Sequence, residues 1–172
     1  MDNGALDETR EKTCCFTGHR PQKLPWRYDE DDPRCLALKR TLEDVLGALY
    51  GAGCRRFLCG MAIGGDMYFG EAVLALRGEH PDVTLEAVIP FEGQDRDWPD
   101  GLRRRYQRLA VSCDRVTVLH GAYKREYFLE RNRYMVDRSS VLLAMYDGKP
   151  GGTRYTVEYA LSRGVRVIEL PL

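Results

Sequence analysis

The sequence predicts one α/β domain built on a single doubly wound, mainly parallel, Rossmann-like sheet with helices on both faces. Three observations lead to this fold class. Short apolar runs alternate with helical patterns along the chain, glycine-rich turns follow three of these runs, and no second zone of composition appears. A chain of 172 residues suits one domain with a sizeable core. We place this domain at residues 13–172 and expect the polar segment 1–12 to be a flexible tail.

The predicted strands and helices follow one another in a regular order. The strands are expected at 13–17, 56–59, 83–89, 115–119, 140–146 and 165–169, and the helices at 33–50, after residue 66, at 102–110, at 126–138 and from 153 toward 164. Right-handed crossovers between parallel strands favour a strand order of about 3-2-1-4-5-6. Ligands of such sheets bind beyond the carboxyl ends of the strands. The turns after strands one, two and five are therefore the candidate site.

Composition and charge narrow the classes of function. The formal net charge is zero, from 26 basic and 26 acidic residues, so we expect nucleic acid not to be a partner. No apolar run approaches the roughly 20 residues of a membrane span, and the polar N-terminus is unlike a signal peptide. We therefore expect a cytoplasmic protein without a membrane contact. The spacing of the six cysteines and three histidines implies no metal site.

The turn after the fifth strand carries the strongest local signal for an anion site. Gly148, Pro150, Gly151 and Gly152 prevent the strand from continuing, and Thr153 suits the N-cap of the next helix. At such a turn, unpaired N–H groups and the positive end of the helix dipole face outward together, which favours a phosphate. An ordinary tight turn would carry the same glycines, so that alternative stays open.

Two earlier turns have similar chemistry. Their candidate ligand-binding residues are Thr17, Gly18, His19 and Arg20 after the first strand, and Gly60, Gly64, Gly65 and Asp66 after the second. Asp66 begins a helix, where a carboxylate serves either as a cap or as the partner of a ribose hydroxyl or a pocket arginine. In the predicted sheet, the turns after strands one and five are neighbours or one strand apart. Their convergence predicts a nucleotide or sugar-phosphate site.

With these turns, the chain resembles the YpsA/YoqJ-like family of the SLOG superfamily. That superfamily also contains the DprA DNA-processing proteins and the lonely-guy phosphoribohydrolases. The resemblance rests on TGHRP-x-KL at 17–24, GMAIGGD at 60–66, and GGT with EYA within 151–160. It extends over about residues 13–170 and implies a Rossmannoid nucleotide-binding domain. Because the lonely-guy relatives are dimers, it also implies a homodimer as one alternative.

The resemblance also implies roles for individual residues. The PGG-x-GT-x-x-E signature of the lonely-guy enzymes matches Pro150 to Gly152 and Glu158 in spacing, and their upstream arginine matches Arg131. Glu158 would then help to activate water or to stabilise the oxocarbenium-like sugar centre. Arg131 would orient the ribose phosphate. The phosphate would be held by Gly151, Gly152 and Thr153, and the segment Arg131, Asn132, Arg133 is also similar to the RNR segment of the DprA branch.

Three hypotheses follow, from different classes of protein. In the first, the chain binds a nucleotide or an ADP-ribose- or NAD-derived ligand and hydrolyses its N-glycosidic bond, with no further cofactor required. In the second, the same pocket is a nucleotide sensor without catalysis, read by a protein partner. Arg154 and Tyr155 favour the sensor, because they replace the GT of the lonely-guy signature. The third, DNA binding in the DprA manner, is opposed by the zero net charge.

Overall fold

A computed structural model describes residues 8–172 as alternating strands and helices around one sheet. The strands are β1 (Thr13–Gly18), β2 (Arg56–Cys59), β3 (Thr84–Ile89), β4 (Arg115–Val118), β5 (Val141–Tyr146) and β6 (Arg166–Pro171). The helices are α1 (Pro33–Gly51), α2 (Gly65–Glu79), α3 (Asp100–Ser112), α4 (Tyr127–Asp137) and α5 (Gly152–Ser162), and a short 3₁₀ helix covers Pro21–Lys23.

The sheet confirms the predicted fold class. The six strands pair in the order β4-β3-β2-β1-β5-β6, and every pair is parallel. Because each parallel connection crosses over with the same hand, the helix lies on one face when the chain steps one way and on the other face when it steps back. Helices α1 to α3 therefore lie on one face, and α4 and α5 on the other.

A buried layer of side chains lies on each face of the sheet, between the strands and the helices. Alternate residues of a strand point to opposite faces, so Cys14 and Phe16 of β1 pack toward α1 and α2, and Cys15 packs toward α4 and α5. On the first face, the rings of Phe16 and Phe69 stack with their centroids 4.8 Å apart. Both faces of the central strands are thus covered, which explains their continuous apolar sequence.

The predicted strand order was wrong for one strand. We expected the fourth strand beyond the first, but β4 lies outside β3 at the opposite edge of the sheet. Two contacts favour this position. The carboxylate of Asp114 accepts the backbone N–H of Leu85 at 2.8 Å, and Gly70 of α2 lets Leu109 of α3 approach closely, since a Cβ there would lie 2.9 Å from it.

The predicted tail over residues 1–12 falls partly outside the described residues, because these begin at residue 8. Residues 8–11 form one helical turn. The ammonium group of Lys12, directly after the turn, pairs with the carboxylate of Glu8 at 2.9 Å. The turn is joined to the domain, since the Ser140 hydroxyl donates to the carbonyl of Glu11 at 2.8 Å.

Among residues 8–172, none of the helices is both long and apolar enough to cross a membrane.

The stacked rings of Phe16 and Phe69 allow the packing of the first buried layer to be tested. We expect Phe69→Ala to lower the free energy of unfolding by about 3–5 kcal/mol, because it removes a fully buried ring and leaves a cavity. Urea unfolding followed by circular dichroism measures the change. The matched control is Val111→Ala, at a side chain that is 87% exposed, with an expected change within about 0.5 kcal/mol. A loss below about 1 kcal/mol for Phe69→Ala would contradict the packing described.

Candidate functional site

The three glycine-rich turns lie side by side, because β2, β1 and β5 are consecutive strands of the sheet. The backbone holds them together. His19 donates its N–H to the carbonyl of Met145 at 3.0 Å, and its own carbonyl accepts the N–H of Gly65 at 3.2 Å. Gly64 has φ +96°, and a Cβ there would lie 2.9 Å from the carbonyl oxygen of His19. The second turn therefore packs directly against the first.

A cavity of about 290 Å³ opens where these turns meet the first residues of α4 and α5. Nine of the residues predicted from the sequence line it: Thr17, Gly18, His19, Arg20, Asp66, Arg131, Asn132, Gly152 and Thr153. The chain approaches the cavity from four separate segments, so the grouping depends on the fold. The position matches the expected ligand site of a doubly wound sheet, at the strand order reversal between β1 and β5.

Arg131 is the most deeply buried cation of the cavity, with 5% of its surface exposed. Its guanidinium donates to the carbonyl of Gly60, and its Nε donates to the side-chain oxygen of Asn132 at 2.8 Å. Asn132 in turn donates to the hydroxyl of Thr156 on α5 at 2.8 Å. These bonds fix the guanidinium and also join α4 to α5. The Arg131 side chain is therefore held in place by the protein itself.

Asp66 is the carboxylate that faces this arginine. A Cβ at Gly60 would lie 2.8 Å from both the Arg131 guanidinium and the Asp66 carboxylate, so the two charged groups approach each other at this glycine. Burial raises the pKa of Asp66 and lowers the pKa of Arg131, and the charge of each partner opposes the shift of the other. Asp66 also accepts the N–H of Ala62 at 3.0 Å. The carboxylate therefore faces the pocket arginine, which was one of the two alternatives, but it does not cap α2, whose N-cap is Gly64 without a side-chain cap.

Two further cations are more exposed. The Arg20 guanidinium lies 4.9 Å from the ring centroid of Phe128, which also lines the cavity. Lys23, on the 3₁₀ helix, reaches the third turn, since a Cβ at Gly151 would lie 2.7 Å from its ammonium nitrogen. The cavity lining thus carries three permanent cations and one carboxylate. Lys23 and Phe128 were missed as site residues; Lys23 belongs to the TGHRP-x-KL motif, which could have indicated it.

The start of α5 differs from the prediction. We expected Thr153 at the N-cap, but Gly151 occupies that position with φ +153°, and Thr153 lies within the first turn of the helix. Glycine suits this backbone, because the left-handed region is unfavourable for other residues. Thr153 is thereby free to turn its hydroxyl toward the cavity. No side chain caps the helix, so its first N–H groups are available to an anion.

His19 connects the first and third turns through its side chain. The imidazole is 3% exposed, with Nε2 2.9 Å from the Asp147 carboxylate and Nδ1 3.4 Å from the Thr153 hydroxyl. The His19 contact holds the pKa of Asp147 well below its usual range, with added help from the Lys149 backbone and ammonium. Asp147 thus faces the imidazole as an anion. Nothing in the sequence pattern indicated the role of Asp147.

Six of the predicted site residues do not line the cavity. Arg133 points away from Arg131 on the helix and donates to the hydroxyl of Tyr155 at 3.1 Å. Gly151 shapes the turn without facing the cavity. Glu158 is 61% exposed at its side chain and pairs with Arg154 one turn earlier on α5, at 2.9 Å. Within the described residues, Glu158 is therefore not brought together with Arg131. Gly60, Gly64 and Gly65 lie behind the lining residues and set their spacing.

Among residues 8–172, no cluster of three or more histidine, cysteine, aspartate or glutamate side chains is placed to hold a metal ion.

The fold and site define a Rossmann-like α/β protein with a small cavity at the carboxyl edge of its sheet, whose lining carries three cations and one carboxylate. A family model described as the YspA SLOG family matches residues 14–166. The chain therefore belongs to the YpsA family of SLOG proteins, which confirms the resemblance indicated by the turn motifs.

Relatives of similar length occur in bacilli. UPF0398 proteins of Bacillus thuringiensis (strain Al Hakam) and Bacillus cereus (strain AH187) are each 29% identical to this chain over 156 residues. The matched part covers 89% of this chain and 84% of each relative.

Two solved structures of DNA processing protein A share the fold. The Helicobacter pylori protein, whose structure concerns its mode of single-stranded DNA binding, matches 99% of this chain and 69% of its own, with a TM-score of 0.59 and 18% identity. The Streptococcus pneumoniae protein matches 95% of this chain and 51% of its own, with a TM-score of 0.63 and 19% identity. At this identity, the likeness shows the architecture alone.

The role of Gly60 can be tested against another glycine of the chain. We expect Gly60→Ala to lower the free energy of unfolding by about 1–3 kcal/mol, because the added methyl group would overlap both Arg131 and Asp66. The control is Gly47→Ala in α1, where no atom lies within 4 Å of the new methyl group and alanine favours the helix by about 0.5–1 kcal/mol. Chemical unfolding of both variants measures the contrast. Equal effects would show that Gly60 has no special constraint.

Proposed function

We propose that this cavity binds the phosphate group of a nucleotide or a nucleotide-derived ligand. The observation that carries the proposal is the grouping of Arg20, Lys23 and Arg131 with the uncapped start of α5 around one cavity. Only Asp66 opposes them as a carboxylate in the lining. A bound phosphate would accept charge-assisted hydrogen bonds from the guanidinium groups. It would also accept hydrogen bonds from the first N–H groups of the helix.

The buried arginine supports a binding role over a purely structural one. Among the described residues, the Arg131 guanidinium forms no ion pair with a carboxylate, and burial already disfavours its charged form. A dianion in direct contact with the guanidinium would compensate this charge better than the nearby but unpaired carboxylate of Asp66 does. Binding would therefore gain from a charge that folding has left incompletely neutralised.

The volume of the cavity suits one part of a nucleotide. At about 290 Å³ it lies at the lower limit of ligand pockets, roughly 300–1,000 Å³, and has room for a ribose phosphate. A second depression of about 600 Å³ adjoins it through Gln22 and Lys23, and carries Arg27 and Lys149 in its lining. A ligand with a second phosphate, such as an ADP-ribose- or NAD-derived molecule, would extend into this basic region. The proposed ligand class includes both types.

The position of Glu158 favours ligand binding over the reaction of the lonely-guy enzymes. N-glycosidic hydrolysis in their manner requires the matching glutamate beside the sugar. Here that side chain is exposed and paired with Arg154, outside the cavity. The position of Glu158 therefore supports ligand binding without N-glycosidic hydrolysis, with a protein partner or a second copy of the chain as the reader of the bound state.

DNA binding is a weaker proposal, prompted by the DprA structures. In its favour, the basic lining of the two depressions continues over the surface from Arg20 to Lys149. Against it, the net charge is zero, and binding to nucleic acid backbones depends on an excess of positive charge. Fluorescence anisotropy with a labelled single-stranded oligonucleotide at low and at moderate salt tests DNA binding: we expect weak affinity at low salt and none at moderate salt.

Two arginines provide a direct test of nucleotide binding. We expect Arg20→Ala to weaken binding of ADP-ribose or AMP by about 10-fold or more, since a charge-assisted hydrogen bond contributes about 1.5–3 kcal/mol. Isothermal titration calorimetry measures the affinity, after a thermal-shift screen against AMP, GMP, ADP, ATP, ADP-ribose, NAD and ribose 5-phosphate.

The matched control is Arg133→Ala, which removes the same charge two residues from Arg131 but outside the cavity. It should bind within about twofold of the unaltered protein. Equal losses for both variants would point to a general charge effect, and no stabilisation by any of the ligands would contradict the proposal.

A further inference from the structure

Thr153, His19 and Asp147 form a relay at the wall of the cavity. The Thr153 hydroxyl lies 3.4 Å from Nδ1 of His19, whose Nε2 lies 2.9 Å from the Asp147 carboxylate. Thr153 is 8% exposed and His19 3%. A hydroxyl, a base within reach and a carboxylate that orients the base are the parts of an activated oxygen nucleophile. Such contacts are often long before a substrate binds.

The carboxylate determines which nitrogen of His19 is the base. An ionised carboxylate can only accept, so Nε2 carries the proton and donates to Asp147. The backbone N–H of Asp147 also lies 3.4 Å from Nε2, but the shorter, charge-assisted contact decides the tautomer. Nδ1 then has its lone pair directed at the Thr153 hydroxyl. Asp147 is itself fixed by the backbone N–H of Lys149 at 3.1 Å.

The relay is more than a structural link between two turns. Thr156, one turn later on α5, donates its hydroxyl to the carbonyl of Gly152, as threonine commonly does within a helix. Thr153 instead turns toward the imidazole and the cavity, in the first turn of the helix where a phosphate would dock. This step rests on the proposed function. In a ligand bound as proposed above, the phosphorus is the electrophile nearest to the Thr153 oxygen.

We propose that the protein hydrolyses phosphate monoesters through Thr153, with His19 as general base and Asp147 as its positioning residue. In the first step, Oγ1 of Thr153 bonds to phosphorus and the bond from phosphorus to the ester oxygen breaks. The threonine proton passes to Nδ1 of His19 and from there to the leaving alcohol. Arg20, Arg131 and the N–H groups of α5 stabilise the charge on the phosphoryl oxygens.

In the second step, water attacks the phosphothreonine and restores the enzyme. The water proton passes to Nδ1 of His19, the bond between phosphorus and Oγ1 breaks, and Oγ1 takes the proton back. The products are an alcohol and inorganic phosphate, with water as the only co-substrate. No redox change and no further co-reactant are involved.

The experiment measures turnover and binding separately. The probes are p-nitrophenyl phosphate and AMP, with release of p-nitrophenol or inorganic phosphate as the readout and calorimetry for affinity. We expect the unaltered protein to release product, and Thr153→Val and His19→Asn to lose about 10²–10⁴-fold in kcat. Asp147→Asn should lower kcat with KM for the ester nearly unchanged. Val111→Ala, at an exposed side chain outside the cavity, should keep full activity.

Several outcomes would overturn this inference. If the unaltered protein binds AMP but releases no product, the relay is not catalytic and the binding function stands. If Thr153→Val retains turnover, the nucleophile is not Thr153; if Thr153→Ser yields no phosphorylated protein in intact-mass measurements during turnover, there is no covalent step. Absence of binding would contradict the proposed function as well. Valine keeps the shape of threonine, and a thermal unfolding curve shows whether each variant is folded.

Discussion

The direct pairing of β1 with β5 is the constraint on which the rest of the site depends. The sheet order reverses at this pair, so the turns that follow the two strands emerge side by side with no helix between them. His19 spans the gap with its backbone N–H bonded to Met145 and its imidazole bonded to Asp147. A register shift of one residue would separate these partners. The geometry of the cavity is therefore fixed by strand pairing first and by side chains second.

Around this pair, glycines bring charged groups closer than other residues would permit. Gly64 places the second turn against the backbone of the first, and the missing side chain of Gly60 leaves space for Arg131 and Asp66. The cost is a guanidinium that is buried without a direct carboxylate partner. Sites that bind anions commonly hold a cation that has no ion-pair partner in the ligand-free protein, because the ligand then supplies that partner. This links the packing of the turns to the proposed phosphate site.

Most of the fold could be predicted from the sequence, because the evidence for each element is local. Each of the six predicted strands was found within about two residues, since apolar runs bounded by glycine and proline mark a buried parallel strand. The strand order could not be predicted in full. The position of β4 depends on contacts such as Asp114 with Leu85, between residues far apart in the chain, which no local pattern encodes.

The same distinction applies to the site. Gly18, Arg20 and Gly152 could be identified because they belong to the glycine-rich turns expected after the first and fifth strands. The contact of Asp147 with His19 could not be predicted, since the two residues are distant in sequence. An aspartate in a turn normally accepts a hydrogen bond from the backbone of the same turn. Glu158 was predicted as a site residue from its spacing within a motif, but its side chain lies outside the cavity. Side-chain direction on a helix changes by about 100° per residue. Spacing alone therefore does not show which face of the helix the rest of the fold covers.

A crystal structure of the protein with ADP-ribose bound would test the central claim most directly. We predict phosphate oxygens within about 3 Å of the Arg20 guanidinium, the Lys23 ammonium and the backbone N–H of Gly152. Arg131 should remain in place behind them. A saturating ligand bound elsewhere, with only solvent in this cavity, would contradict the account that the three glycine turns form a phosphate site.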